Sequence, residues 1–446
     1  MEQHFYIKWM RKEERIMRIA FLTLGCKVNS YETDKMKNKF IEAGDYIVSF
    51  EEEADIYLVN TCTVTNFGDK KSRQLIRKVK RQNPEAVVAA IGCYAQTAPD
   101  EIKNIEGVNL IIGTKGRKDI VDLVETYVPE MGVVSTVGQI AKEREFEHLT
   151  ISKLADRTRA YLKIQDGCSQ FCSYCIIPYA RGPIRSRDPE DIMDEVKVLA
   201  ENGFKEIILT GIHVASYGKD LKGVTLLDVI KRVQEQEGIE RIRFSSVEPN
   251  IVTEEFASEL SKLDKVCDHF HLSLQSGCDR TLKRMNRKYD AAGYERAVEI
   301  LRKYFPNVAI TTDIIAGFPD ETDEDFEKSL EFAKKIGFAK IHAFPYSPKR
   351  GTPAAVMPNQ ILNAVKNERT SRLIEASDRM ADEFIKSFEG RVMPVLYERE
   401  IEHNIYEGYT TNYIRVLSES SENIKNKILD TEIVSSEDEK AIGRIL

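Results

Sequence analysis

Gly167-Cys168-Ser169-Gln170-Phe171-Cys172-Ser173-Tyr174-Cys175-Ile176-Ile177-Pro178-Tyr179-Ala180-Arg181 places three cysteines within eight residues, spaced C-x3-C-x2-C, with an aromatic before the last. A four-iron cluster ordinarily takes four Cys ligands, so three thiolates leave one iron open to a ligand that is not protein. Other readings of the run fit less well. Zinc sites usually add a second Cys or His pair close by, and none lies near this loop. A two-cluster ferredoxin reads C-x2-C-x2-C-x3-C-P, a different spacing. A disulfide asks for an oxidising compartment, and no secretory signal is read here.

The loop follows an apolar run, Tyr161–Gln165, and the same unit then recurs. Runs at Glu206–Thr210, Arg241–Ser246, His269–Gln275, Ala309–Ile315 and Lys340–Pro345 read as strands. Helical stretches intervene at Pro189–Asn202, Leu226–Gln236 and Ala291–Tyr304. Six strand–helix units predict an α/β partial barrel, too short for eight units. Polar residues crowd the strand ends: Thr210 and Gly211, Ser246 to Glu248, Gln275 to Gly277, and Gly317 to Pro319. In barrels that face carries the chemistry, and the cysteine loop lies on it too.

Upstream, residues 17–127 alternate strands and helices in a parallel α/β pattern. Strands are expected at Ile19–Leu24, Tyr46–Phe50, Ile56–Val59, Ala86–Ile91 and Asn109–Ile112, and helices at Tyr31–Ala43, Asp69–Gln82 and Gly116–Tyr127. Three further cysteines fall just past strands, at Gly25-Cys26, Thr61-Cys62 and Gly92-Cys93. Buried structural cysteine is the ordinary meaning of any one of them. Three in the same strand-end position converge on the edge where open parallel sheets bind ligands, and form a second three-thiolate set. Cys267 and Cys278 match neither set and read as structural thiols.

Downstream, Asn359 to Phe388 reads as one long helix closed by Gly390. Short alternating runs follow at Val392–Tyr397, Tyr409–Leu417, Glu432–Val434 and Ala441–Leu446, which predict a small antiparallel β-barrel or sandwich. The expected domains are 17–130, 155–388 and 389–446, with a charged linker near 130–155. The chain of 446 residues is 42% hydrophobic and 31% charged, which suits two or three globular domains. No apolar run reaches membrane-spanning length. Residues 1–16 hold too many charges for a signal peptide and read as a tail or an upstream-start extension. Eight cysteines without a signal point to a reducing cytosol, hence a cytoplasmic protein. The net charge of −7 excludes bulk nucleic-acid affinity, so RNA contact must come from local patches.

With both cysteine sets in view, the chain from Met17 onward resembles the radical S-adenosylmethionine (SAM) methylthiotransferases. Within that family it is most similar to the tRNA threonylcarbamoyladenosine branch. The stretches Leu24-Gly-Cys-Lys-Val-Asn29, Asn60-Thr-Cys-Thr-Val-Thr65, Asp69-Lys-Lys-Ser-Arg73, Gly92-Cys-Tyr-Ala-Gln96 and Leu162-Lys-Ile-Gln-Asp-Gly-Cys168 carry the likeness. The isopentenyladenosine branch more typically has Met and Arg where this chain has Val28 and Thr65. The resemblance implies two [4Fe–4S] clusters and SAM. Cys168, Cys172 and Cys175 would hold the cluster that cleaves SAM. Cys26, Cys62 and Cys93 would hold an auxiliary cluster carrying the sulfur to be inserted. The implied reaction abstracts hydrogen from C2 of adenosine 37 in the tRNA anticodon stem-loop and leaves a methylthio group there. An electron donor of unknown identity and a sulfur source are implied partners; a membrane is not.

C2 of adenine has no useful acidity, which makes a radical reasonable, and an unstacked loop nucleotide is what such a pocket reaches. Glu248 and Gln275 are candidates for the ribose and methionine ends of SAM, with Thr210, Gly211 and Ser246 beside them and Gly317 at the adenine. For RNA, Lys70, Lys71, Arg73, Arg77, Lys78, Lys80 and Arg81 make a basic helix after Cys62, and Arg181, Arg185 and Arg187 follow the first cysteine loop. Of these, Lys71, Arg73, Arg77, Arg181, Arg185 and Arg187 are expected to hold phosphates. The C-terminal module resembles a TRAM domain, yet residues 391–446 hold seven Lys/Arg against eleven Asp/Glu. Tyr406, Tyr409, Tyr413 and Arg415 are candidates there for base stacking or for packing. Competing functions are methylthiolation of isopentenyladenosine 37 or of a ribosomal-protein aspartate, an iron–sulfur carrier, and an RNA-binding protein without radical catalysis.

Overall fold

A computed structural model of the protein describes residues 16–149 and 158–446. The expected N-terminal lead, apart from Ile16, and the end of the expected linker lie outside the described residues. These divide into two compact units. The first holds residues 16–149, 166–169 and 175–185, and the second 158–165, 170–174 and 186–446.

In the first unit, β1 (Arg18–Thr23), β2 (Tyr46–Val48), β3 (Ile56–Thr61), β4 (Val87–Gly92), β5 (Leu110–Ile112) and β6 (Val134–Ser135) form one sheet in the order β2-β1-β3-β4-β5-β6. Its pairs are parallel. The central strands are apolar on both faces, as a covered parallel sheet requires. Ala20, Tyr57, Val59, Val88 and Ala90 pack into one layer, and Ile19, Leu58, Ala89 and Ile91 into the other. Two helices begin earlier than expected. Lys27–Glu42 starts directly after Cys26, and Asn66–Gln82 starts after Thr65, whose hydroxyl accepts the Gly68 N–H at 3.1 Å. The expected helix from Gly116 opens as a 3₁₀ turn, Arg117–Asp119, and continues as Ile120–Glu125. The two residues of β6 are too few to show a period in sequence.

In the second unit, β7 (Arg159–Asp166), β8 (Arg185–Ser186), β9 (Glu206–Gly211) and β10 (Arg241–Phe244) run in the order β10-β9-β7-β8. A second group has the order β11 (His269–His271), β12 (Ala309–Ala316), β13 (Lys340–Pro345). Parallel bridges Ile242↔Val266 and Val247↔Leu272 join the two groups. The result is the expected six-stranded partial barrel, β7-β9-β10-β11-β12-β13. Helices Leu226–Glu235 and Asp323–Ile336 each open with a capping box, Thr225 with Asp228 and Thr322 with Asp325. The long helix is Asn363–Lys386. It starts later than expected because Asn359 takes a left-handed backbone, φ +57°. No helix among the described residues is long and apolar enough to cross a membrane.

The C-terminal strands β14 (Val392–Glu402), β15 (Ile405–Thr410), β16 (Arg415–Glu419), β17 (Ile428–Glu437) and β18 (Lys440–Ile445) close a barrel in the order β14-β15-β16-β18-β17. The β16–β18 seam is parallel and the other four are antiparallel. The run Tyr409–Leu417, read as one strand, is two. Tyr413 sits at φ +71°, and the Ile414 N–H bonds the Thr410 hydroxyl at 2.9 Å, which turns the chain. This barrel is fastened to the lower ends of β9 and β10. Arg241 donates to the Tyr409 and Pro394 carbonyls at 2.8 and 2.7 Å, and Arg243 to the Thr411 carbonyl at 2.9 Å. Buried Glu206 lies between them, 2.8 Å from Arg243 Nε. Tyr413 stacks between His269 and Tyr409 and lies under Arg243, Tyr406 is core, and Arg415 bonds Glu407. Tyr406 is thus taken up in the core and Tyr413 in the stack, while Arg415 remains partly exposed.

Candidate active site

Strand ends of the first unit bring the three N-terminal cysteine loops together. Asn29 donates to the carbonyls of Leu24 (2.7 Å) and Thr61 (3.1 Å), joining the loop of Cys26 to that of Cys62. The Thr61 hydroxyl donates to the Ile91 carbonyl at 2.6 Å, joining Cys62 to Cys93. Asn60 closes the set, donating to the Asn29 carbonyl and the Thr33 hydroxyl. Two loops approach so closely that only glycine fits. A Cβ on Gly25 (φ +106°) would lie 3.1 Å from Cys62 Sγ, and one on Gly92 (φ +96°) would lie 2.5 Å from Asn60 Oδ1.

Cys26 is exposed, Cys62 half-buried and Cys93 buried, and none is in a disulfide. Burial pushes the Cys93 thiol up to about 11; the Arg181 charge opposes this, and the neighbouring sulfurs of Cys26 and Cys62 add to it. Among the described residues no three His, Cys, Asp or Glu side chains close on a single metal ion. A four-iron cube asks for something different, since it takes each thiolate on a separate iron. Three thiols on adjoining strand ends, one with a cationic donor at its sulfur, fit that demand.

The donor is Arg181. Its Nε points at Cys93 Sγ at 3.2 Å, its Nη1 bonds Glu32 at 2.5 Å, and its Nη2 bonds Asn29 Oδ1 at 2.6 Å and Glu32 at 2.9 Å. Arg117 also pairs with Glu32, and with Glu147, while Asp166 lies 3.5 Å from Arg181 and 3.4 Å from Arg185. The expectation that Arg181, Arg185 and Arg187 hold phosphates is corrected. All three are buried, the first two in this network and Arg187 against Glu195 at 2.5 Å. Sequence reasoning missed Asn29, Glu32 and Arg117, whose partners lie far along the chain.

In the second unit the strand ends gather a different set. Buried Glu248 accepts from Gln170 Nε2 (3.2 Å) and has His213 Nε2 at 3.0 Å and Arg287 Nη2 at 3.1 Å as charge partners. Burial pushes its carboxyl up, but the His213 hydrogen bond and the Arg287 charge outweigh that and leave it below its ordinary value. Arg287 also donates to Cys172 Sγ at 3.2 Å and to the Tyr289 hydroxyl at 2.8 Å. The turn before it clasps the cysteine loop. Ser173 N–H bonds the Met285 carbonyl at 3.0 Å, and Asn286 donates to the Phe171 carbonyl at 2.9 Å. Tyr174 meets Phe318 edge-on. On the other side of the divided loop, Cys168 N–H bonds the Gly182 carbonyl at 3.0 Å.

The remaining expected residues are placed as follows. Gln275 takes φ +71°, a strained backbone for a residue with a Cβ and the kind found at ligand clamps. Thr210 Oγ1 is buried without a hydrogen-bond partner. A Cβ on Gly211 would lie 2.9 Å from Gln165 Oε1, whose oxygen also accepts the His213 N–H at 2.7 Å. Ser246 is exposed at the strand end. Gly317 is buried, its N–H held by Glu321 at 2.6 Å and its Cα packed on Lys366, so packing explains this glycine. His213 and Arg287 were missed; neither belongs to a local motif.

Of the basic helix, Lys70, Lys71, Arg77, Lys78 and Arg81 are exposed. Arg73 is half-buried and donates to the Tyr94 hydroxyl at 2.7 Å, and Lys80 donates to the Ala86 carbonyl. Val64 (54% exposed) and Phe67 (75%) flank the helix start, next to Cys62.

Comparison with known proteins adds the following. The Radical SAM superfamily matches residues 162–333, and the Uncharacterized protein family UPF0004 matches residues 18–113. The threonylcarbamoyladenosine tRNA methylthiotransferase MtaB of Bacillus subtilis is 44% identical, covering 94% of each chain. MtaB of Aquifex aeolicus is 40% identical over 90% of this chain and 97% of its own. A tRNA-2-methylthio-N(6)-dimethylallyladenosine synthase of Acetivibrio thermocellus is 36% identical over 92% of this chain and 87% of its own. Among solved structures, the radical SAM methyltransferase TsrM of Kitasatospora setae, with cobalamin and a [4Fe–4S] cluster bound, superposes with a TM-score of 0.56 at 18% identity, covering 77% of each chain. That likeness is one of fold.

Proposed function

The chain belongs to the radical SAM tRNA methylthiotransferases, and on that premise we propose that it methylthiolates C2 of N6-threonylcarbamoyladenosine 37 in tRNA, using two [4Fe–4S] clusters and SAM. The substrate rests on one observation: identity of 44% and 40% to threonylcarbamoyladenosine enzymes against 36% to a dimethylallyladenosine enzyme. The second cluster is supported by the three strand-end cysteines stitched together by Asn29 and Thr61.

Cys168, Cys172 and Cys175 would hold one cluster and Cys26, Cys62 and Cys93 the other; bound there with SAM, these groups supply reductive cleavage of SAM, a hydrogen-abstracting radical and a sulfur to be methylated and inserted. The protein's own residues do the rest. Glu248, kept anionic by His213 and Arg287, orients the polar end of SAM. Gln275 and Thr210 offer hydrogen-bonding groups at neighbouring strand ends, with Gly211 and Ser246 beside them. Arg287 holds the cysteine loop through Cys172 and through the turn that clasps residues 171–173. Lys70, Lys71 and Arg77 face solvent on the helix that follows Cys62, and would hold phosphates of the anticodon stem-loop. In this reading the functional domains are 17–130, 155–388 and 389–446, the site of action is the cytoplasm, and an electron donor and a sulfur source act with the enzyme.

Nucleoside mass spectrometry of tRNA from cells with and without the protein tests the substrate. Loss of the methylthio form of threonylcarbamoyladenosine alone supports it, and loss of the methylthio form of isopentenyladenosine instead overturns it. Iron analysis tests the clusters. Full loading gives about eight irons, and replacing Cys26, Cys62 and Cys93 by Ala leaves about four. That variant keeps release of 5′-deoxyadenosine but makes no methylthio product; a product from it refutes the second site.

A further inference from the structure

The segment after the last cysteine of the C-x3-C-x2-C loop folds into the first unit. Ala180 accepts the Thr114 hydroxyl at 2.6 Å, and the amide after Arg181 belongs to Gly182, whose φ of +70° turns the chain. Arg181 is thereby carried to Cys93, fully buried, with its η nitrogens committed to Glu32 and Asn29. Nε is left facing the sulfur at 3.2 Å. The surrounding charges balance: Arg117, Arg181 and Arg185 against Glu32, Glu147 and Asp166. Arg181 is the cation in contact with the Cys93 sulfur.

We propose that Arg181 is a positioning residue for the auxiliary cluster, which donates its Nε–H to the Cys93 sulfur and sets the reduction potential there. The inference rests on the assignment of that cluster to Cys26, Cys62 and Cys93. A hydrogen bond to a ligating sulfur withdraws electron density and favours the reduced state, and hydrogen bonds to sulfur are among the levers that fix iron–sulfur potentials. Burial strengthens the effect because no water screens it. Lysine is a poor replacement. One ammonium cannot serve the sulfur, both Glu32 oxygens and Asn29 in the planar geometry that a guanidinium provides. Arg181 follows Cys175 by six residues, within the same unit.

The experiment uses the full chain with Cys168, Cys172 and Cys175 replaced by Ala, so that one cluster remains to be titrated. Arg181→Gln is added, and the reduction midpoint is read by redox titration with electron paramagnetic resonance. The expected result is a reduction equilibrium constant lowered about tenfold, a midpoint about 59 mV more negative for one electron. Iron–sulfur stretches in the resonance Raman spectrum should shift with it. A folded variant with about four irons, an unchanged midpoint and unshifted stretches overturns the inference and leaves Arg181 as a structural ion pair. Absence of iron in the parent overturns the cluster assignment instead. If Arg181→Gln does not fold, Glu32→Gln decides. It removes an anion that offsets the guanidinium and leaves the donor in place, so the midpoint should rise; no movement overturns the inference.

Discussion

Arg287→Met tests whether Glu248 and the cysteine loop are held as one device. The guanidinium supplies an ion pair to Glu248 at 3.1 Å, a donor to Cys172 Sγ at 3.2 Å and a donor to the Tyr289 hydroxyl at 2.8 Å. Both ends of the Arg287–Glu248 pair are buried. Removing one partner of a buried pair costs about 3–5 kcal/mol, because the other charge is left uncompensated. Here Gln170 still donates to Glu248 and His213 still lies 3.0 Å from it, so the low end applies, about 3 kcal/mol. The loss is local, and hydrogen exchange reads it locally. The Ser173 N–H, bonded to the Met285 carbonyl, and the amides of 285–289 should lose protection on the order of a hundredfold, at tenfold per 1.4 kcal/mol. Arg287→Met combined with Glu248→Gln removes both charges and should recover about tenfold, a coupling of about 1–2 kcal/mol. Protection reduced less than tenfold in the single variant, or strict additivity in the double, would refute the reasoning.

Three further outcomes are expected. Burial pushes the Glu206 carboxyl up, but Arg243, Arg159 and Arg241 more than reverse this and hold it below its ordinary value. Its stabilising contribution is therefore complete above about pH 4.3 and is lost as pH falls further. The gap in melting temperature between wild type and Glu206→Gln should close as pH drops from 7 to 3, and a gap independent of pH would contradict the assignment. Joint replacement of Lys70, Lys71 and Arg77 by Ala should reduce the slope of log binding constant against log salt for tRNA by about 2, while SAM cleavage without tRNA stays unchanged; an unaltered slope places the RNA elsewhere. Gly92→Ala forces a Cβ against Asn60 Oδ1 at a backbone of φ +96°, so it should cost about 1–3 kcal/mol and lose iron from the auxiliary set, with full iron content as the contrary result.

Much of this architecture is legible in the chain because its signals are local. Strands β1, β3 and β4 announce themselves as apolar runs, and Cys26, Cys62 and Cys93 each follow one of them within three residues. The C-x3-C-x2-C run is a contiguous motif. What sequence reading missed depends on distance along the chain. Arg181 reads as one more cation after a cysteine loop; its partners Glu32 and Asn29 stand about 150 residues earlier. Arg187 was misread for a different reason: its partner Glu195 is only eight residues on, but burial against it has no sequence signature beyond a helical spacing. In the C-terminal barrel, Tyr409 and Tyr413 are aromatic whether they stack on a base or on Arg159, and only the fold decides. The turn at Tyr413 escaped notice because a tyrosine with a left-handed backbone carries no glycine to mark it.

The graded exposure of Cys26, Cys62 and Cys93 gives the edge where the three cysteines gather a front and a back. At the back, Arg181 and the sheet seal the innermost thiol. At the front, Cys26 opens to solvent at the head of its helix. In the proposed reading, anything that reaches a cluster held there from solvent, whether iron, sulfur or an oxidant, would meet Cys26 first, so the exposed cysteine would be its entrance and its point of wear, and buried Cys93 its anchor.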